Sequence, residues 1–284
     1  MNVRIFTSPI VTTYAFPQHP EAPTRVSRTA DRLKANGWTL ERPTVKATEK
    51  HALLAHSRNH WNALESGLYF DPDTPHFDGV VDVALASLSG CLSAFEAARE
   101  GTPAFSLMRP PGHHAGRERI AGFCYLNNVA VTVERALQEV KRVAILDIDA
   151  HHGDGTESIM MDRDGVLFVS LHQAPLYPGT GLTSRGNCHN FPLPPGTSER
   201  DYLPVLERAL TLVKGFQPEM LAISAGFDTY KECPIAQFKL EATTYRRIGR
   251  MIADTDLPRF AALEGGYADA MPELIENFLT GFGE

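Results

Sequence analysis

Short apolar runs at residues 3–7, 104–108, 142–147, 166–171, 220–224 and 259–263 are separated by stretches in which apolar residues recur with helical spacing. The helical stretches fall at residues 24–36, 48–56, 58–66, 80–99, 127–139, 199–214, 240–253 and 271–279. Runs of this length suit buried strands rather than helices, and strands that alternate with helices are joined by crossovers, which makes their sheet mainly parallel. The expected fold is therefore α/β, with three layers, α/β/α, and helices on both faces of the sheet. A chain of 284 residues with 43% hydrophobic content can build one large core of this kind. No repeat, low-complexity tract or linker divides it, so residues 1–284 are expected to form one domain.

In an open α/β sheet the ligand crevice lies outside the carboxyl ends of the strands. Four of the apolar runs stop at segments suited to chemistry. The run Ile145-Leu146-Asp147-Ile148-Asp149-Ala150-His151-His152-Gly153-Asp154-Gly155 places Asp147, Asp149 and His151 at alternate positions, on one side of an extended chain. Carboxylate oxygen and imidazole nitrogen together suit a divalent metal such as zinc, and this pattern supplies part of a site. Ser224-Ala225-Gly226-Phe227-Asp228 offers a further carboxylate, and Arg109-Pro110-Pro111-Gly112-His113-His114-Ala115-Gly116 presents adjacent imidazoles on a stiff lead-in. Glu264-Gly265-Gly266-Tyr267 pairs two glycines, which let the backbone turn sharply, with a tyrosine. A lone Asp beyond a strand is usually a cap or turn former, and a lone His a hydrogen-bonded packing residue. Their grouping at successive strand ends argues for a site instead.

Composition excludes several classes. A net charge of -7 opposes nonspecific nucleic-acid binding, which needs clustered Lys and Arg. No uninterrupted apolar run approaches ~18 residues, so no membrane span is expected. Residues 1–10 lack the basic region and apolar stretch of a signal peptide. The four cysteines, Cys91, Cys124, Cys188 and Cys233, are scattered without a Cys-x-x-Cys pair, which argues against a disulfide framework or a thiolate metal site. A cytoplasmic location is the resulting expectation.

These segments resemble the histone deacetylase family of zinc-dependent amidohydrolases, which shares the arginase/deacetylase fold with acetylpolyamine amidohydrolases. The resemblance runs from about residue 8 to about residue 267 and includes His19-Pro20-Glu21-Ala22-Pro23-Thr24-Arg25, Gly122-Phe123-Cys124-Tyr125-Leu126-Asn127-Asn128 and Tyr177-Pro178-Gly179-Thr180-Gly181 in the family's order. The Glu264-Gly265-Gly266-Tyr267 form resembles the class II branch and its bacterial relatives.

The resemblance implies one catalytic zinc on Asp149, His151 and Asp228, with coordination left open for water and a substrate carbonyl. It implies His114 as general base toward water and later acid toward the leaving amine, with His113 positioning the water and stabilising charge. Asp147 behind His113 and Asp154 behind His114 would orient the rings, and Tyr267 would donate to the developing oxyanion. Asp154 could equally cap a helix ahead of Thr156.

Gly122, Phe123 and Tyr177 correspond to walls of a narrow acyl-lysine tunnel, and Tyr177 replaces a common Phe. Arg25 matches a basic residue at an inner acetate cavity, and Gly112 stands where some relatives carry Trp, which implies a roomier inner pocket. Asp73, or else Asp71, matches a rim carboxylate that grips substrate backbone. The proline- and glycine-rich stretches 69–77 and 173–196 are expected as channel loops. A structural potassium is implied on carbonyls of Asp147, Asp149, His151 and Leu171 with the Ser170 hydroxyl. Ala268 departs from the family's usual Asn after the tyrosine.

The expected substrate is an acetylated or longer-acylated lysine in a peptide or protein, or a small acylated amine; the oligomeric state is not legible. An acetylpolyamine specificity is the first alternative. Ile235, where some such enzymes carry an acidic gatekeeper, and the absence of a long early insertion point away from it. An arginase-like binuclear manganese site would need further carboxylates beside Asp228, and residues 224–230 have none. A catalytically silent acyl-lysine binding module is the non-enzymatic alternative, opposed by the presence of Tyr267 and both histidines.

Overall fold

The computed structural model describes residues 3–284. Eight strands form one sheet: β1 (Arg4–Phe6), β2 (Leu40–Glu41), β3 (Ala104–Ser106), β4 (Val143–Asp147), β5 (Val166–Gln173), β6 (Cys188–Leu193), β7 (Met220–Ala225) and β8 (Arg259–Leu263). Their order is β2-β1-β3-β8-β7-β4-β5-β6, and every neighbouring pair is parallel. Among the described residues nine α-helices cover it: α1 (Thr24–Ala35), α2 (Glu49–Ala52), α3 (Arg58–Ser66), α4 (Val80–Arg99), α5 (Asn128–Ala136), α6 (Asp154–Met160), α7 (Glu199–Phe216), α8 (Thr244–Ala253) and α9 (Met271–Phe282).

Alternate residues of each central strand point to opposite faces, so the sheet divides two cores. Ala144 and Leu146 of β4, with Leu221 and Ile223 of β7, pack beneath α1, α7, α8 and α9. Val143 and Ile145, with Met220 and Ala222, pack beneath α4 and α5. Burial on both faces explains why these strands read as continuous apolar runs. Helix α4 has the length and mean hydropathy of a membrane span, although Asp82 and Glu96 interrupt its apolar run. It is mostly buried and lies against β3, β8 and α5, so its apolar surface is satisfied within the core.

Three elements depart from the sequence reading. The edge strand β6 falls inside the stretch 173–196 expected as a loop. Its alternating burial and Pro192 suit a half-covered edge, and they gave no apolar run. The two-residue β2 is too short to leave a pattern. Helix α6 begins at Asp154 itself, with Gly153 at the capping position, so Asp154 is not the cap ahead of Thr156.

Sheet order decides which loops meet. The adjacent strands β3, β8, β7 and β4 carry, at their carboxyl ends, the His113-His114 loop, the glycine–tyrosine turn, Asp228 and the Asp149–His151 segment.

Candidate active site

Asp149, His151 and Asp228 are buried and place one ligand atom each within 4.8 Å of the others. His151 Nδ1 lies 3.1 Å from Asp149 Oδ1 and 2.9 Å from Asp228 Oδ2. The second oxygens are oriented by backbone: Gly265 N–H donates to Asp149 Oδ2 at 2.7 Å, and Ala150 N–H to Asp228 Oδ1 at 2.8 Å. Burial disfavours a charged imidazole, yet Asp149 and Asp228 outweigh it and raise His151 to about 10. A buried cluster of two carboxylates and one imidazole is the donor set expected for a catalytic zinc with open coordination, so these residues fit that metal.

The adjacent histidines differ in their surroundings. His113 Nδ1 lies 3.1 Å from Asp147 Oδ2, and His114 Nδ1 lies 2.7 Å from Asp154 Oδ1. Each carboxylate takes an Nδ1–H and leaves the opposite nitrogen for the cavity. Burial works against the His113 cation, but Asp149 and Asp147 raise it to about 10. Burial, reinforced by His113 and His151, depresses His114 well below the usual imidazole range. The two rings thus stand in opposite electrostatic surroundings, His113 beside carboxylates and His114 beside other imidazoles.

Tyr267 stands across the site, its ring 5.9 Å from Phe123 and edge-on to it. Burial raises its phenol well above the usual range and keeps it a donor, and its hydroxyl makes no hydrogen bond among the described residues. A cavity of about 330 Å³ runs down to His113, His114 and His151 between Phe123, Tyr177, Leu176 and Ile235. Gly122 and Asp73 also line it, Asp73 with its backbone carbonyl 3.1 Å from His19 Nε2. Asp71 turns away from this role: its Oδ2 accepts from Gly122 N–H at 3.2 Å and from Thr74 Oγ1 at 2.5 Å.

Two expected roles change. Arg25 is buried behind the tyrosine turn, where it donates to the Gly266 carbonyl at 2.8 Å and to that of Glu264, and its guanidinium sits 4.9 Å from the Tyr267 ring centre. It therefore supports the turn and does not line the cavity. Gly112 does not line it either, and a Cβ there would lie 2.6 Å from the Asn128 backbone nitrogen and 2.9 Å from the Leu126 carbonyl oxygen. The glycine permits close passage of two backbones, so it does not create the expected room in the pocket.

Several supporting residues gave no signal in the sequence beyond lying within quoted motifs. Buried Glu264 accepts from Gly112 N–H at 2.7 Å and His113 N–H at 3.1 Å through one oxygen, and from Ser224 Oγ at 3.2 Å through the other. It joins three strand ends. Glu21 similarly ties Arg109, at the start of the histidine loop, to Arg25. Their signal would have been a charged residue in an otherwise buried segment, which cannot name its partner. The Ser170 hydroxyl lies 2.9 Å from His172 Nδ1, and the carbonyls of Asp149 and His151 accept no hydrogen bond among the described residues.

The histone deacetylase domain family matches residues 19–281, which include every residue of this site. The chain belongs to the histone deacetylase family. A probable deacetylase of Archaeoglobus fulgidus is 40% identical over 277 residues, covering 89% of this chain and 77% of that protein. Acetylpolyamine amidohydrolase 1 of Pseudomonas aeruginosa is 42% identical over 233 residues, covering 77% of this chain and 67% of its own. The crystal structure of an acetylpolyamine aminohydrolase from Burkholderia pseudomallei superposes with a TM-score of 0.91 at 27% identity, covering 99% of this chain and 98% of that one. The eight-stranded parallel sheet with surrounding helices is thus the fold of a deacetylase-family hydrolase, and the arginase-like alternative gives way to this family.

Proposed function

We propose that this deacetylase-family protein is a zinc-dependent hydrolase of acyl-lysine-like amides. The observation that carries the reading is the placement of a buried two-carboxylate, one-imidazole cluster beside two oppositely tuned histidines and a free tyrosine hydroxyl, all at the end of one narrow cavity. A zinc ion held by Asp149, His151 and Asp228 supplies Lewis acidity toward water and the amide carbonyl. Neutral His114 accepts the proton of the attacking water at Nε2. As the C–N bond breaks, the same nitrogen returns the proton to the departing amine, which then leaves neutral. His113 positions the attacking water, and the Tyr267 hydroxyl stabilises the negative charge that develops on oxygen.

The apolar walls suit the methylenes of a lysine-like chain, and Ile235 offers no charge to a second amine. The acetylpolyamine reading retains support from the named relatives and from Asp73 at the cavity, a carboxylate able to meet a distant ammonium. A potassium ion on the free Asp149 and His151 carbonyls is a further proposal. Its ligand set would be completed by carbonyls of Asp147 and Leu171 and by the Ser170 hydroxyl.

The test is turnover of acyl-lysine peptides of graded chain length and of acetylpolyamines by protein of measured zinc content. Activity that disappears on chelation and returns at one zinc per chain is expected. Full turnover by verified metal-free protein, or none on any acyl amine, would overturn the reading.

A further inference from the structure

Asp154 is shared between two partners. Its Oδ1 takes the His114 Nδ1–H bond at 2.7 Å, while its Oδ2 is paired with the guanidinium of Arg119. The carboxylate is only 9% exposed, but the Arg119 side chain is 53% exposed. Asp154 is also the first residue of α6, whose first turn is already tied to the site, with the Asp154 N–H donating to the His152 carbonyl at 2.8 Å and the Thr156 N–H to that of His113 at 3.0 Å.

The loop that carries Arg119 is held by backbone hydrogen bonds. The Gly116 N–H donates to the Arg119 carbonyl at 2.9 Å, and the Cys124 N–H donates to Ala121 at 3.0 Å, closing the loop on either side of Ile120. From this loop Arg119 reaches the Asp154 oxygen that His114 does not use.

We propose that Arg119 is a positioning residue for the His114–Asp154 pair: by holding the outer oxygen of Asp154 it keeps the inner oxygen on His114 Nδ1 and so aims His114 Nε2 into the cavity. The inference rests on the reading of His114 as the proton carrier. Arg119 touches neither substrate nor metal ligands, and an ion pair so exposed adds little to stability, so its replacement leaves the fold intact. The consequence is concentrated in alignment, where small displacements of a proton-transfer group are costly.

The experiment compares Arg119→Gln, Arg119→Lys, Asp154→Ala and the Arg119→Gln/Asp154→Ala double variant on an acetyl-lysine reporter. Arg119→Gln should lower kcat roughly three- to tenfold with KM, zinc content and Tm unchanged, and Lys should recover most of the loss. In the Asp154→Ala background Arg119→Gln should have no further effect, because the partner through which it acts is gone. Equal losses in both backgrounds, an unchanged kcat, or a Lys variant as impaired as the Gln variant would each overturn the proposal. The nitrogen-15 resonance of His114 Nδ1, recorded without substrate, should move in Arg119→Gln. An unmoved resonance overturns the positioning role whether or not the wild type turns over, whereas an inactive wild type with a moved resonance overturns only the functional reading.

Discussion

Replacing Gly265 by alanine tests whether Asp149 and Asp228, the carboxylates of the proposed zinc site, are held by the tyrosine turn. The Gly265 backbone lies outside the left-handed region, so alanine meets no intrinsic penalty there. Its Cβ, however, would stand 2.4 Å from Asp228 Oδ2 and 2.6 Å from Asp149 Oδ2. Both gaps are about 1 Å short of ordinary contact. The backbone amide that donates to Asp149 would be retained, so the perturbation is steric. Overpacking of this kind costs about 1–3 kcal/mol. Because the atoms that must yield are oxygens of the proposed zinc ligands, the cost should appear in metal binding, as an affinity weaker by roughly 10- to 100-fold. Zinc retained after dialysis against graded zinc buffers measures this directly, with kcat/KM followed in parallel. Gly215→Ala, where a Cβ would meet nothing within 4 Å, serves as the control and should leave zinc binding unchanged. A Gly265→Ala protein with wild-type zinc affinity and turnover would refute the claim that this turn holds the ligands.

Tyr267→Phe should lower kcat by roughly 10²–10³ with little change in KM or zinc content, and near-normal kcat would remove the hydroxyl from the oxyanion role. Ile235→Glu should shift the ratio of kcat/KM values from acyl-lysine peptides toward acetylpolyamines, and an unaltered ratio would place specificity in other loops. Burial, with neighbouring His152, depresses His172 to about 3 from 6.5. The unfolded chain therefore binds more protons than the native one between these values. The associated stability is fully present above pH 6.5 and is lost progressively as pH falls toward 3. Denaturant unfolding should show this group withdrawing about 2 kcal/mol between pH 7 and pH 5. His172→Gln should flatten that slope, and an equal slope would count against the assignment.

The class of fold and the residues of the candidate site were legible for separate reasons. β3, β4, β7 and β8 are covered on both faces, and so their composition alone marks them as strands. Asp149, His151, Asp228, His113 and His114 stand at the ends of those strands, where chain direction and a parallel sheet send every such loop to one edge. β6 was not legible because an edge strand with one covered face and a proline carries no comparable signal.

What the sequence by itself determined was the set of chemical groups and the side of the sheet on which they emerge, since both follow from residue type and strand alternation. Tertiary structure alone decided which groups meet. The placement of β8 between β3 and β7 brings Glu264 under the histidine loop and Gly265 against two carboxylates more than a hundred and fewer than forty residues away. It also turned Arg25 to the support of Tyr267, set Gly112 against a neighbouring backbone and gave Asp154 a second partner in Arg119. The physical reason is that a hydrogen bond or a steric contact belongs to a pair. A sequence records each member, but sheet order and the paths of the loops decide the pairing.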